Sequence, residues 1–245
     1  MAAAVSDTRV ASGTYVYGVV RGVPAIGRRG VADAKVGVVE HDGLAALVSG
    51  VDAASLRAKR RDLVAHQEVL QEAFESGPVL PLRFGTVFRS DEAVRTELLA
   101  ARSAELSRLL ARFESFVELS VRAYYVEDAV LREIVEGDRE VARLKGRASD
   151  VALGEAVAHA LSARRAADAR AIEHALLPFA EDAAVDPPRT EFEVFRGAFL
   201  VEREAVTRFD RAMDELARKH DATLVFKYVG PLPPHSFVDA GSAGA

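Results

Sequence analysis

The chain of 245 residues has a formal net charge of −5, with 49% hydrophobic and 28% charged residues, a composition typical of a soluble globular protein of one or two domains. It contains no cysteine, which excludes a disulfide framework, a thiolate zinc site and a thiol nucleophile. The acidic net charge argues against nucleic acid as the main partner.

The first part of the chain predicts a small β-sheet. Residues 1–13 are small and polar, and the apolar run at 10–20 is too short to span a bilayer. No basic flank of a signal peptide precedes it, so we expect a cytoplasmic protein without membrane insertion. Strands are predicted at 15–20, 36–40 and 44–49, and the last two form a hairpin around a His-Asp-Gly turn.

Two helices and an unusual connecting segment follow. The first helix is predicted from about Ala53 to Glu75, and a Ser-Gly-Pro sequence ends it. Four apolar residues lie on one face of this predicted helix: Leu56, Leu63, Leu70 and Phe74. The segment 81–88 predicts an extended stretch or a strand with a kink at Gly85. Ser90 and Asp91 are typical caps of a second helix, whose apolar residues are Val94, Leu98, Leu106, Leu109 and Leu110. Residues 1–112 thus form an N-terminal α+β domain.

The second half predicts a domain of the same class. Strict alternation at 117–125 indicates a half-buried strand. The other predicted elements are helices at 128–135, from 141, at 150–179 and at 203–220, and strands at 191–201 and 224–229. Gly197 is predicted to be a bulge or bend, and it decides whether 191–201 is one strand or two. The fold class is therefore α+β with two domains, the C-terminal one (113–239) a modified ferredoxin-like fold with a long helical insertion, followed by a flexible tail at 240–245.

Three segments carry a resemblance to a known family. They are YVYGVV at 15–20, VLPLRFGTVF at 79–88 and YVGPLPPHSF at 228–237, and the last two combine proline, glycine and aromatic residues in fixed order. Together they resemble the gas vesicle accessory protein F/L family, from about Tyr15 to Val238. The resemblance implies a non-enzymatic role in assembling the vesicle, without cofactor, metal or small-molecule substrate. It also implies that the partners are the small hydrophobic shell protein and other accessory proteins, and that the chain is associated with the vesicle.

The same two motifs supply the candidate partner-binding residues. In the first motif these are Arg83, Phe84 and Gly85, and in the second Pro231, Leu232, Pro233, Pro234 and Phe237. Arg83 either pairs with a nearby carboxylate or contacts a partner. The prolines predict a stiff extended segment that cannot extend a sheet. That segment either packs back on the N-terminal domain, which we favour, or is offered to a partner.

Other candidate residues have ordinary structural explanations. His66 lies between Leu63 and Leu70 on its helix, so it is either a ligand or base or, as we favour, a core histidine with satisfied hydrogen bonds. The spacing of His159 and His174 fits no metal motif. The basic run at 57–61 either contacts an acidic partner or is a solvated helix face.

Two alternative functions follow from the fold class. The stretch 18–23 resembles the opening of acylphosphatases, with Arg28 and Arg29 as the possible phosphate ligands, but the chain has no asparagine to position the attacking water. A small-ligand-binding module is the other alternative, although no glycine-rich phosphate loop is present to mark a pocket.

Overall fold

The computed structural model describes residues 12–52, 56–147 and 149–238. The predicted tail at 240–245 and almost all of the segment 1–13 lie outside these ranges. The chain forms two compact units. The first comprises the residues up to Ser115 together with those from Leu232 onwards, and the second comprises Phe116–Pro231. The sequence-based division placed 113–239 in one domain, whereas here the residues that follow the last strand group with the first unit.

The first unit is built on an antiparallel sheet. Its strands are β1 (Ser12–Arg21), β2 (Gly37–His41), β3 (Leu44–Asp52), β4 (Val79–Pro81) and β5 (Val87–Phe88). The order is β2-β3-β1-β4, with β5 also paired to β1. The predicted hairpin of β2 and β3 is confirmed, and its turn residues Asp42 and Gly43 have the positive φ values, 49° and 79°, that such tight turns require.

The first helix is shorter than predicted. Helix α1 spans Arg60–Ser76; residues 56–59 are not helical, and 53–55 lie outside the described part of the chain. Leu63 is 41% exposed, so the apolar face of this helix is not buried at its first turn. In that first turn Asp62 is buried instead, and its carboxylate accepts a hydrogen bond from the Ala32 backbone N–H at 3.2 Å, which offsets part of the cost of its burial.

The kink predicted at Gly85 is confirmed. Residues 82–86 loop out between β4 and β5, which both pair with β1 and are antiparallel to it. The loop is tied to β1 at both ends, by Leu82 N–H to the Tyr17 carbonyl at 2.8 Å and by Val16 N–H to the Thr86 carbonyl at 3.0 Å. Gly85 has a φ of 92°. We call residues 82–86 the Arg83 loop.

The second helix of this unit begins at the predicted cap. Ser90 Oγ accepts a hydrogen bond from Ala93 N–H at 3.1 Å. Helix α2 (Asp91–Ala93) continues into the π-helical turns Val94–Ala100, and α3 (Ser103–Phe113) follows. Leu109 of the predicted apolar face is only partly covered. The other residues of that face are buried, namely Val94, Leu98, Leu106 and Leu110.

The second unit pairs a four-stranded sheet with helices. Its elements are β6 (Phe116–Tyr125), α4 (Glu127–Gly137), α5 (Arg139–Leu144), α6 (Asp150–Leu176), β7 (Asp182–Val185), β8 (Glu193–Glu202), α7 (Val206–Lys219) and β9 (Leu224–Leu232). The strand order is β7-β8-β6-β9, and β8 is antiparallel to both of its neighbours. Among the described residues, no helix is both long enough and apolar enough to cross a membrane.

One prediction for this sheet was wrong, and one of its strands was not predicted. Gly197 is neither a bulge nor a break: it pairs with Val121 in continuous register, and the register shifts instead between Ala123 and Tyr124. A Cβ on Gly197 would come within 2.7 Å of the Phe195 ring, so the glycine makes room for an aromatic side chain. The fourth strand is β7, which lies before the Pro187-Pro188 pair and has only four residues.

The end of the chain also differs from its prediction. Strand β9 continues through Pro231 to Leu232, although we expected proline to end it. β9 is an edge strand, and at an edge the missing N–H of a proline leaves no partner unsatisfied. The chain then turns instead of running extended, with His235 N–H bonded to the Pro233 carbonyl at 2.7 Å and Phe237 N–H to the Pro234 carbonyl at 3.2 Å.

Candidate functional site

His66 lies at the centre of an aromatic cluster in the first unit. It projects from α1 and is 2% exposed. Its ring centroid lies 5.7 Å from that of Tyr15, 5.6 Å from that of Tyr17 and 5.8 Å from that of Phe84. We call these four residues, together with His235, the His66 cluster. It joins the opening strand β1 to the Arg83 loop.

A chain of hydrogen bonds fixes this arrangement. Tyr15 Oη and His66 Nδ1 are 2.8 Å apart, and Gly85 N–H donates to Tyr15 Oη at 3.3 Å. The backbone of Leu82 forms a further hydrogen bond with the His66 ring. Both ring nitrogens are satisfied when Tyr15 donates to Nδ1 and the opposite N–H donates to the Leu82 carbonyl. The interpretation of His66 as a satisfied core histidine is therefore confirmed.

The cluster keeps its histidines neutral. Burial and the neighbouring His235 lower the pKa of His66 to about 4, even though the Leu82 hydrogen bond raises it. Burial alone lowers the pKa of His235 to about 4. Within the described part of the chain, His235 Nε2 is buried without a hydrogen-bond partner. Protonation of either ring would bury a charge without a compensating anion.

Tyr17 fixes the other side of the cluster. Its hydroxyl lies 2.8 Å from Ser49 Oγ and accepts a hydrogen bond from Val31 N–H at 2.8 Å. A Cβ on Gly30 would lie 1.9 Å from that hydroxyl oxygen. Only glycine therefore allows the loop before Val31 to pass this close to Tyr17.

The Arg83 loop presents its charged residue to solvent. Arg83 is exposed, and no ion pair of its guanidinium is found among the described residues. Its carbonyl accepts hydrogen bonds from the Thr86 side chain at 2.8 Å and the Thr86 backbone at 3.2 Å, which closes the loop. Phe84 is half-buried against His66, and Gly85 is exposed. These hydrogen bonds thus hold the loop in one conformation while the arginine side chain stays accessible.

The last described residues, 232–238, form the C-terminal segment. Pro233 and Pro234 are buried, Leu232 and Phe237 are half-buried, and Pro231 just before the segment is exposed. The segment belongs to the first unit, and His235 lies close enough to His66 to influence its protonation. Both motifs singled out in the sequence therefore meet at the His66 cluster.

The two arginines considered as phosphate ligands, Arg28 and Arg29, have other partners. The carboxylate of Glu72 accepts hydrogen bonds from Gly27 N–H at 3.0 Å and Arg28 N–H at 3.2 Å. Arg28 also pairs with Glu68 at 3.4 Å, and Arg29 pairs with Asp33 at 4.0 Å. Both arginines are thus engaged by carboxylates, which repel a phosphate.

No metal centre emerges in the described part of the chain. No group of three or more histidine, aspartate or glutamate residues with a metal-binding arrangement occurs there. A cavity of about 220 Å³ in the first unit is lined in part by Arg21, Gly77 and Glu114. Arg21 and Glu114 pair with each other at 3.8 Å, and the volume is below that of most ligand sites.

Comparison with known proteins identifies the family. The model of the family described as "Gas vesicle synthesis protein GvpL/GvpF" matches residues 13–239. Gas vesicle protein F of Streptomyces sp. (strain CB03234) is 39% identical over 240 residues, which cover 92% of this chain and 99% of the relative. The chain belongs to the GvpL/GvpF family.

Solved structures and an archaeal relative extend this result. The crystal structure of GvpF from Anabaena sp. PCC7120 matches with a TM-score of 0.78 and 26% identity, covering 93% of this chain and 96% of that one. Gas vesicle protein F1 of Halobacterium salinarum (strain ATCC 700922 / JCM 11081 / NRC-1) is 28% identical over 231 residues, which cover 92% of each chain. GvpL/GvpF proteins take part in gas vesicle formation, so the resemblance carried by the three sequence segments is confirmed.

Several residues of the cluster could not be selected from the sequence alone. Tyr15 and Tyr17 looked like ordinary strand residues, and His235 was only one member of the last motif. The sequence feature that could have indicated the cluster is the presence of two tyrosines, two residues apart, on one face of β1. Buried tyrosines need hydrogen-bond partners for their hydroxyls.

Proposed function

We propose that this GvpL/GvpF protein is a non-enzymatic accessory protein that binds the small hydrophobic shell protein and other accessory proteins during vesicle assembly. It acts in the cytoplasm, in association with the vesicle, and needs no cofactor or metal. A shell subunit that polymerises through apolar surface would aggregate if left free, so a protein that holds it has a clear physical role.

The observation that carries the proposal is the meeting of both motifs at the His66 cluster. Such a cluster holds the Arg83 loop and the C-terminal segment in one conformation, which lowers the entropy lost when a partner binds. In this proposal Arg83 donates hydrogen bonds to the partner, and Phe84, Leu232 and Phe237 supply apolar contact. The remaining candidates hold the backbone in shape: Gly85, Pro231, Pro233 and Pro234.

We further propose that the second unit is a modified ferredoxin-like domain. Its order of elements, β6, three helices, β7, β8, α7 and β9, is strand-helix-strand-strand-helix-strand. The strand order β7-β8-β6-β9 supports this assignment, because the first and third strands lie side by side between the second and the fourth. The helices α4, α5 and α6 then form the enlarged first crossover.

A pull-down with the shell protein tests the binding proposal. The purified full-length chain should capture the shell protein in the presence of EDTA and without nucleotide. Arg83→Ala should weaken capture about tenfold, the loss expected for one charge-assisted hydrogen bond, without lowering the melting temperature.

Arg108→Ala is the matched control, because Arg108 is an exposed arginine on α3 of the same unit. It should leave capture unchanged. A requirement for a divalent metal or a nucleotide would contradict the proposal, and equal capture by the Arg83→Ala variant would remove Arg83 from the site.

A further inference from the structure

The small cavity at the end of β1 is bounded by three parts of the first unit. Its lining comes from the end of β1 and the loop after it, from the end of α1, and from the residue after α3. Its volume of about 220 Å³ is smaller than the roughly 300–1,000 Å³ of sites for drug-sized ligands. The cavity therefore suits a molecule much smaller than a nucleotide.

The apolar part of the lining is aliphatic. Val20 of β1 and Ala73 of α1 are 4% and 2% exposed. The half-buried rings of Pro24 and Pro78 complete it. A lining of this kind favours a branched aliphatic side chain, because it removes the apolar surface of that side chain from water.

Two helix C-termini meet at the cavity. Gly77 is the C-cap of α1 and Glu114 is that of α3, and both residues line the cavity. Gly77 N–H bonds to the Phe74 carbonyl at 3.3 Å, and Pro78 has no N–H to offer the remaining carbonyls of the last turn. The carbonyl groups at these helix ends, together with the Glu114 carboxylate, favour an ammonium group.

Arg21 brings a positive charge to the same cavity. Its guanidinium lies 3.8 Å from the carboxylate of Glu114, and the two side chains are 50% and 63% exposed. This distance is longer than the roughly 2.7–2.9 Å of a charge-assisted hydrogen bond. A ligand that carries both a carboxylate and an ammonium group can therefore give each side chain a shorter hydrogen bond than they give each other.

We propose that this cavity binds a free α-amino acid with a branched aliphatic side chain, of the size of leucine. The carboxylate of the ligand accepts hydrogen bonds from Arg21, its ammonium group donates to Glu114 and the helix carbonyls, and its side chain contacts Val20 and Ala73. The amino acid is bound and not transformed. The cavity includes no residue of the Arg83 loop or the C-terminal segment, so this proposal does not depend on the function proposed above.

A segment inside a protein chain fits the cavity less well. Within a chain the ammonium and carboxylate groups of a residue become uncharged amides. Arg21 and Glu114 would then lose water without gaining an ionic partner, and this costs free energy. A free amino acid instead supplies both charges from groups attached to one carbon atom.

NMR titration of the isotope-labelled full-length chain with leucine tests the proposal. Because leucine has few atoms, we expect a Kd on the order of 1 mM, and the amide signals of Arg21, Gly77 and Glu114 should shift. Leucinamide, which lacks the carboxylate, should bind about tenfold more weakly, as expected for the loss of a charge-assisted hydrogen bond. N-acetyl-leucine, which lacks the ammonium group, should bind more weakly than leucine by at least about tenfold as well.

Charge variants separate contact with the ligand from a structural role. Arg21→Ala should weaken leucine about tenfold without weakening leucinamide, which has no carboxylate for this arginine. Glu114→Gln should weaken both ligands. Arg108→Ala and Glu40→Gln are the matched controls, because both residues are exposed in the same unit, and they should bind leucine like the unmodified chain.

Four results would overturn the proposal. They are the lack of any shift at about ten times the expected Kd of leucine, equal binding of N-acetyl-leucine and leucine, and equal weakening of leucine and leucinamide by Arg21→Ala. The fourth is tighter binding of a peptide with blocked ends and a central leucine than of leucine itself, which would assign the cavity to a partner protein.

Discussion

Two histidines separated by most of the chain share one buried environment. The pKa of each is lowered from the ordinary value of 6.5 to about 4. The folded state thus binds fewer protons than the unfolded state. The two neutral histidines therefore make their full contribution to the free energy of unfolding above about pH 6.5. That stability is lost progressively as the pH falls towards 4.

We therefore predict that the chain loses stability between pH 7 and pH 5. A shift of this size corresponds to about 3 kcal/mol for each histidine when protonation is complete, and carboxylates with ordinary pKa values remain ionised over most of this range. Urea unfolding at a series of pH values measures the effect.

Replacement of one histidine identifies the source of this loss. His235→Leu should make stability less dependent on pH, because it removes one titrating group and the charge that disfavours protonation of His66. His159→Gln, at an exposed position of α6, should leave the dependence unchanged. Stability that is constant from pH 7 to pH 5 would show that the cluster does not bury neutral histidines.

At the scale of single elements, the Arg83 loop depends on one glycine. Gly85 has a φ of 92°, and a Cβ there would meet no atom within 4 Å, so any cost of substitution comes from the backbone and not from a clash. We predict that Gly85→Val lowers the free energy of unfolding by about 1–2 kcal/mol. Urea unfolding with a fixed m-value is the appropriate measurement.

Gly50→Val is the matched control for this prediction. Gly50 lies in β3, its Cβ position is equally open, and its φ is not positive. Valine suits a strand, so this variant should be at least as stable as the unmodified chain. If both substitutions cost the same, the loss at Gly85 cannot be attributed to its positive φ.

The strands show how far sequence patterns determine elements. β6 was predictable because apolar and polar residues alternate strictly along it, and the β2–β3 hairpin because its turn residues allow only a tight turn. β7 was missed because four residues, Asp-Ala-Ala-Val, carry too little alternation and too little strand preference. The course of β9 through Pro231 depends on its place at the sheet edge, which is a tertiary property that no local pattern contains.

The candidate site was only partly predictable for the same reason. Arg83, Phe84 and Gly85 stand out because their residue types are unusual together, and the positive φ of Gly85 follows from its type. The pairing of His66 with Tyr15, and the return of His235 to the first unit, are contacts between distant parts of the sequence. Neither an amphipathic pattern nor the spacing of residues within a motif predicts such long-range contacts.

At the scale of the whole molecule, we propose that the Arg83 loop and the C-terminal segment together make this chain active in vesicle assembly. The C-terminal segment contributes the buried Pro233 and Pro234 to the first unit. Its removal should therefore cost stability as well as a binding surface, while β9 and the second unit keep their secondary structure.

The most direct measurement is vesicle yield in cells whose gas vesicle genes lack their GvpL/GvpF member and are supplied with variants of this chain. The full chain should restore vesicles, whereas the chain truncated after Leu232 should restore none and melt at lower temperature. Arg83→Ala, with an unchanged melting temperature, should reduce the yield and thus separate binding from stability. Normal vesicle yield from both variants, with the truncated chain melting like the full one, would show that neither the Arg83 loop nor the C-terminal segment is needed for vesicle assembly.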